Sequence, residues 1–424
     1  MKYEYSLDFA RAQDENDPLK AFREEFHLPK VNGKTAIYFC GNSLGPQPKQ
    51  TRAYLETQLK RWEEMAVDGH FHGDAPWYHA RHKSKPHLAE IVGAKPEEVV
   101  AMNNLSSNLH FLMVSFYRPT AQRFKIISEA GAFPSDLYAL ESQVKLHGLD
   151  PEKTIIELSP RTGEYTLRTE DILEAINQHG DELALIMMGG LQYYTGQVFD
   201  MQAITAAGHA VGAQVGFDLA HAVGNVPLQL HDWDVDFATW CTYKYLNSGP
   251  GNISGIFVHE RHAMNPELPR LAGWWGYDEA QRFQMTKGFK PMYGADGWQL
   301  SNTNILALAA HEASLEIFHR AGIERLRTKS LFLTGYLEFL IKEISQDKGT
   351  LEIITPSNPH ERGCQLSLFI HKGGRALFDR LYEKGVVGDW RNPNVIRVAP
   401  IPLYNSFEDV YQFAKILEET LAEF

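Results

Sequence analysis

The feature that most narrows the fold of this 424-residue chain is an alternation of two periodicities between residues 123 and 259. Short apolar runs of strand length recur there: RFKIISE (123–129), ELALIMMG (182–189), AQVGFD (213–218), DFATWC (236–241) and ISGIFVH (253–259). Helical patterns such as PSDLYALESQVKLHG (134–148) and DMQAITAAGHAVG (200–212) lie between several of them. Strands apolar on both sides, joined by helices, call for a mostly parallel sheet covered on both faces. An α/β large domain over residues 31–305 is therefore expected. From Ile305 the pattern becomes a long helical stretch to Ser345, followed by strand-like LEIITP, CQLSLFI and NVIRVA and an amphipathic helix from about Ser406. A smaller C-terminal α+β domain is expected over residues 306–424, with residues 1–30 as an arm packed on it.

The formal net charge of −12 repels phosphate backbones, and no block of Lys and Arg is dense enough to reverse that, so nucleic acid is not an expected partner. No apolar run approaches the ~20 residues needed to cross a bilayer, and the N-terminus lacks the apolar stretch of a signal peptide. A cytoplasmic protein with no membrane partner is expected. Cys40, Cys241 and Cys364 are few, odd in number and far apart, which suits reduced thiols.

Residues 41–45, Gly-Asn-Ser-Leu-Gly, match the G-x-S-x-G pattern of serine hydrolases. A nucleophile elbow needs a helix directly after the serine, whereas Pro46 and Pro48 follow and the main run of strands comes later. A tight turn or a ligand wall suits Ser43 better than a nucleophile. His70, His72, His79, His82 and His87 form no H-E-x-x-H arrangement, and no metal is expected. SGPGNISG (248–255) precedes a strand rather than a helix, which argues against a dinucleotide fingerprint.

One constellation survives. Asp218 ends an apolar strand, His221 follows it, and Lys244 comes just after the strand DFATWC. Ligands of α/β sheets bind beyond the carboxyl ends of strands, so these residues can share a site. Pyridoxal phosphate needs this pair: a lysine amine to form a Schiff base with its aldehyde, and a carboxylate to keep its ring nitrogen protonated. In NNLSSNLHF, Asn103 or Asn104 caps a helix whose first turn, Leu105 to Ser107, offers free N–H groups to a phosphate. Phe133, Pro134, Ser135 and Asp136 follow another strand, with an aromatic face suited to stacking on the ring.

With these residues in place, the chain strongly resembles the kynureninase family of aspartate-aminotransferase-like, fold type I pyridoxal phosphate enzymes. The resemblance runs from YFCGNSLGPQPK through GAFPSD, YYTGQVFD, VGFDLAHAVGNVPLQLHDWDVDFATWCTYKYLN and LAGWWG to IRVAPIPLYNSFED. It implies hydrolysis of L-kynurenine or its 3-hydroxy form to L-alanine and anthranilate or 3-hydroxyanthranilate, in tryptophan degradation. It implies Lys244 as the Schiff-base lysine and Tyr243 as a phosphate contact and proton donor. Leu105, Ser106, Phe133, Asp136, Gly189, Asp218 and His221 would line the cofactor, and Arg397 would clamp the substrate carboxylate. Ser43 and His70 would face the substrate's aromatic end. Trp274 and Asn302 would reach the site from a partner subunit, which implies a homodimer. Two departures stand out: Gly189 where the resemblance leads one to expect serine, and Tyr277 where histidine is common in some relatives. A cysteine desulfurase of the same fold and, more distantly, a serine hydrolase or a catalytically silent binding protein remain alternatives.

Overall fold

The computed structural model describes residues 2–265, 267–345 and 349–424. The larger of its two main sheets has seven strands: β1 (Val99–Met102), β2 (Lys125–Glu129), β3 (Ile155–Leu158), β4 (Leu183–Gly189), β5 (Gln214–Asp218), β6 (Phe237–Trp240) and β7 (Ser254–Val258). Their order from edge to edge is β1-β7-β6-β5-β4-β2-β3. Strand β7 runs against both of its neighbours and every other adjacent pair is parallel, which makes the sheet mixed but mostly parallel. The exception has a local cause. The chain leaving β6 turns through residues 241–253 and re-enters at the same end of the sheet, which only an antiparallel strand can do.

Alternate residues of these strands enter different cores. Ile126, Leu185, Met187 and Phe237 face one side, where Leu112, Phe116 and Leu140 of the helices Leu105–Phe116 and Pro134–Leu146 cover them. Ile127, Ile186, Met188 and Ala238 face the other, covered in part by the helix Met201–Ala210. The helical run from Ile305 is two helices, Ile305–Ala321 and Ile323–Ser345, parted at Gly322, whose φ of 76° stops the first. Leu308, Leu315, Ile317 and Phe318 of the first helix belong to the core of the larger sheet.

The smaller sheet contains β8 (Leu351–Ile353), β9 (Leu366–Ile370), β10 (Asp389–Arg391) and β11 (Val395–Val398), antiparallel throughout in the order β8-β9-β11-β10. Its core takes Leu333, Leu337 and Leu340 from the helix Ile323–Ser345 and Val410, Phe413 and Leu417 from the last helix, Phe407–Leu421. Ser406 caps that last helix in a capping box with Asp409. The N-terminal helix Leu7–Glu15 joins this core through Ala10. Asp14 at its end accepts from the N–H groups of Phe407 and Glu408, an anion at a helix N-terminus. The strand-like TAIYFC is broken into pieces: Thr35 pairs antiparallel with Lys30, Ile37–Tyr38 pairs in parallel with Val386–Val387 beside the smaller sheet, and Cys40 bridges Ala399.

Candidate active site

Parallel register places Gly189, Asp218 and Thr239 level at the carboxyl ends of β4, β5 and β6. A cavity opens above them. Leu105 and Ser106 enter it from a helix N-terminus, and Phe133, Ser135 and Asp136 from the turn after β2. Gly189, Asp218, His221, Tyr243 and Lys244 complete the set that the sequence had singled out for this region. Pro134 is the exception within its tetrapeptide, serving as the first residue of the helix Pro134–Leu146. Asn104, not Asn103, caps the helix Leu105–Phe116, accepting from the Ser107 N–H at 3.1 Å.

Lys244 sits in the returning loop between β6 and β7. Its Nζ lies 3.0 Å from Nε2 of His221 and 5.8 Å from the centre of the Phe133 ring. Burial, and then the Lys244 charge, push His221 well below its ordinary pKa, so the imidazole is neutral. With Nε2 accepting from Lys244, its proton rests on Nδ1, which has no hydrogen-bond partner among the described residues. Such a buried donor calls for an acceptor on a bound group.

The turn at Ser43 braces this loop. Gly45 N–H donates to the Tyr243 carbonyl at 2.8 Å, and a Cβ at Gly45 would stand 2.5 Å from the carbonyl oxygen of Lys244. Only glycine permits that approach. Ser43 itself does not face the Lys244 cavity, and no helix begins until Thr51, so the geometry of a nucleophile elbow is not met.

Acidic groups crowd the floor of the cavity. Burial, followed by the charge of Asp218, raises Asp136 well above the usual carboxylate range. Its retained proton is shared with Asp218, which also accepts from the Ala220 N–H at 2.7 Å. Glu129, at the end of β2, faces the same space. In sequence it carries no signal, because a glutamate closing a strand pattern reads as solvated.

Tyr193 was likewise missed. Its ring meets Phe133 edge-on at 5.2 Å, and its carbonyl accepts from Nη1 of Arg397 at 2.7 Å. Arg397 is fully buried and pairs with Asp389, which also holds Arg391. Both guanidinium groups lie within 6 Å of the Tyr193 ring, at 5.7 and 5.9 Å. The structure thus puts Arg397 behind Tyr193 rather than in the lining of the cavity, with Nε lacking a partner among the described residues.

His70, Trp274 and Asn302 stand apart from Lys244. His70 packs edge-on against Trp77 at 5.2 Å and beside Phe71, Phe71 meets Phe283, and Phe283 meets Trp274. Phe71, Trp274 and Phe283 are each about half exposed, at 49, 45 and 53 %. Asn302 is exposed as well.

Two groups of side chains have spacings that suit a metal, and both have their carboxylates engaged by protein groups. His79 and His82 approach Glu279, which Arg81 holds at 2.6 Å. Glu98 stands with His231 and His259, and His231 Nδ1 lies 2.9 Å from it. Burial acts on all three thiols in the same direction. Burial pushes Cys40 up to about 12 and Cys364 up to about 11, and it raises Cys241 as well, so none offers the thiolate a desulfurase needs.

Comparison with known proteins distinguishes the fold from the activity. The structure resembles a cysteine desulfurase from Thermococcus onnurineus (TM-score 0.78, 17% identity, 96% of this chain and 98% of that one). It also resembles the cystine C–S lyase C-DES with glycine covalently linked to its PLP cofactor (TM-score 0.74, 16% identity, 90% of this chain and 96% of that one). At such identities the likeness establishes the fold type alone. Sequence relatives are far nearer: the kynureninase of Flavobacterium psychrophilum is 56% identical with all of both chains covered, and that of Flavobacterium johnsoniae 54% identical with 99% of each covered. Residues 326–417 match the kynureninase C-terminal domain family. With that level of identity along its whole length, and with a lysine, a neutral histidine and a carboxyl pair gathered at the strand ends, this chain belongs to the kynureninase family.

Proposed function

We propose that this protein is a pyridoxal phosphate-dependent kynureninase, which hydrolyses the Cβ–Cγ bond of L-kynurenine or 3-hydroxy-L-kynurenine to give L-alanine and the aromatic acid. The single observation that carries this reading is the placement of Lys244 and Asp218 in one cavity, with the Phe133 ring 5.8 Å from the lysine nitrogen. The unpartnered Nδ1 of His221 supports a bound group there, and the free N–H groups at Leu105 and Ser106 suit its phosphate.

When bound, pyridoxal phosphate supplies an electron sink for bonds to the substrate's α- and β-carbons. The chain's residues do the rest. Lys244 would hold the cofactor aldehyde, and its free amine would be placed to take the Cα proton. Asp218, hydrogen-bonded to Asp136, would keep a proton on the ring nitrogen. Phe133 would stack on the ring, Ser135 and Gly189 would border it, and His221 would donate through Nδ1. Burial raises the Tyr243 phenol, so it stays protonated and serves as a proton donor to the product carbon. Arg397, held behind Tyr193 by Asp389 and keeping a spare Nε–H, would clamp the substrate carboxylate, a task a planar guanidinium suits.

The aromatic patch of Phe71, Trp274 and Phe283 supports a homodimer, since a monomer seldom leaves such a surface to water. In it Trp274 and Asn302 cover the partner's cavity, and Ser43 and His70 border the substrate's aromatic ring. No helix among the described residues is long and apolar enough to cross a membrane, which fits a cytoplasmic enzyme. The smaller sheet with the N-terminal arm forms a second domain against the larger one. An absorption spectrum of the purified protein tests the reading. A visible cofactor band that changes on adding kynurenine, with anthranilate released, is expected; a colourless protein inert to pyridoxal phosphate overturns it.

A further inference from the structure

Glu129, Gly189 and Asp218 close three neighbouring strands, β2, β4 and β5, at the same end of the sheet. The middle position has no side chain, and Glu129 extends into the gap. Both of its carboxyl oxygens lie near the Gly189 N–H, at 3.1 and 3.2 Å, and the residue is only 4 % exposed. A Cβ at position 189 would stand 3.0 Å from Glu129 Oε1, so a side chain there would crowd the carboxyl and shift it by a few tenths of an ångström.

We propose that Glu129 is a third carboxyl of the cofactor pocket, a positioning residue that reaches across Gly189 and shares in the protonation of the Asp136–Asp218 pair. This rests on the pyridoxal phosphate reading above. The titratable groups facing the cavity with Glu129 are Asp136 from the helix after β2, Asp218 and neutral His221 from the end of β5, Tyr193 from the segment after β4, and Tyr243 and Lys244 from the loop after β6, with the Gly189 N–H from β4. A single cation thus faces three carboxyls in a buried space, and they cannot all ionise. Burial, with the charge of Asp218 added, pushes Glu129 up to about 7 against the opposing pull of the Gly189 N–H. Its charge therefore changes near neutrality, beside the carboxylate that holds the ring proton.

The test is Glu129→Gln, read in two ways. In cofactor-free protein the folded state keeps a proton that the unfolded chain releases above its ordinary 4.5, so the wild type loses stability as pH rises from there through about 7. The glutamine does not titrate. The variant's Tm relative to wild type must therefore rise between about pH 5 and about pH 8; a constant difference overturns the proposal. In holoenzyme, the visible band of the wild type should show a transition near neutrality that the variant lacks, and identical titrations overturn it. Should the glutamine variant fail to fold, Gly189→Ala displaces the same carboxyl and must shift that transition, and an unshifted one is equally fatal. A protein that binds no pyridoxal phosphate in either form overturns the function reading, while the first readout still decides on the shared proton.

Discussion

The cavity around Lys244 and the patch around Trp274 are built by opposite means. The groups in the first come from strand ends, a helix start and the loops that directly follow strands of one sheet, and its carboxyls and His221 are buried. The second comes from segments 66–80 and 271–302, which contain short 3-10 turns but no long helix or sheet strand, and leaves Trp274 and Phe283 about half exposed. The difference teaches where each property is encoded. The groups proposed for the cofactor gather in one cavity of one chain, whereas the aromatic face proposed to meet a partner stays open.

Four substitutions probe that division. Lys244→Ala should abolish the visible band and lower turnover by about 10³-fold or more, measured by absorbance and anthranilate release; a retained band would mean that the enclosed cavity is not the cofactor site. Arg397→Gln should raise KM about 10- to 100-fold, the worth of a hydrogen bond to a charged group, and leave the band in place. Loss of the band instead would make Arg397 part of the cavity wall. Trp274→Ala should weaken self-association about tenfold by sedimentation, with the cofactor band unchanged; an unaltered assembly would detach the patch from any partner surface. Ser106→Ala should cost about fivefold in cofactor affinity by equilibrium titration, as expected for one neutral hydrogen bond.

The enclosed region was far more legible in the sequence than the open one. Asp218, Lys244 and Phe133 could be placed because each follows an apolar run, and runs of that kind end at ligand sites in parallel sheets. Glu129 escaped because its burial depends on Gly189 of the neighbouring strand, 60 residues away in sequence, a relation that only register creates. Tyr193 escaped because its carbonyl, not its side chain, receives Arg397. Strands β1 and β3 span four residues each and carry no distinctive pattern, and the reversal of β7 depends on where its loop returns. The helical run from Ile305 concealed a break that one glycine's backbone makes. Arg397 was legible as a residue but not in its pairing with Asp389, since β10 is too short to stand out.

The bond from Gly45 to the Tyr243 carbonyl joins segments about 200 residues apart in the chain. The loop bearing the reactive amine is thus propped from the amino-terminal side by a segment synthesised long before it. Protease cleavage or an insertion between Phe39 and Thr51, nowhere near the lysine in sequence, would unseat that prop and dull the enzyme without touching any group that meets its coenzyme.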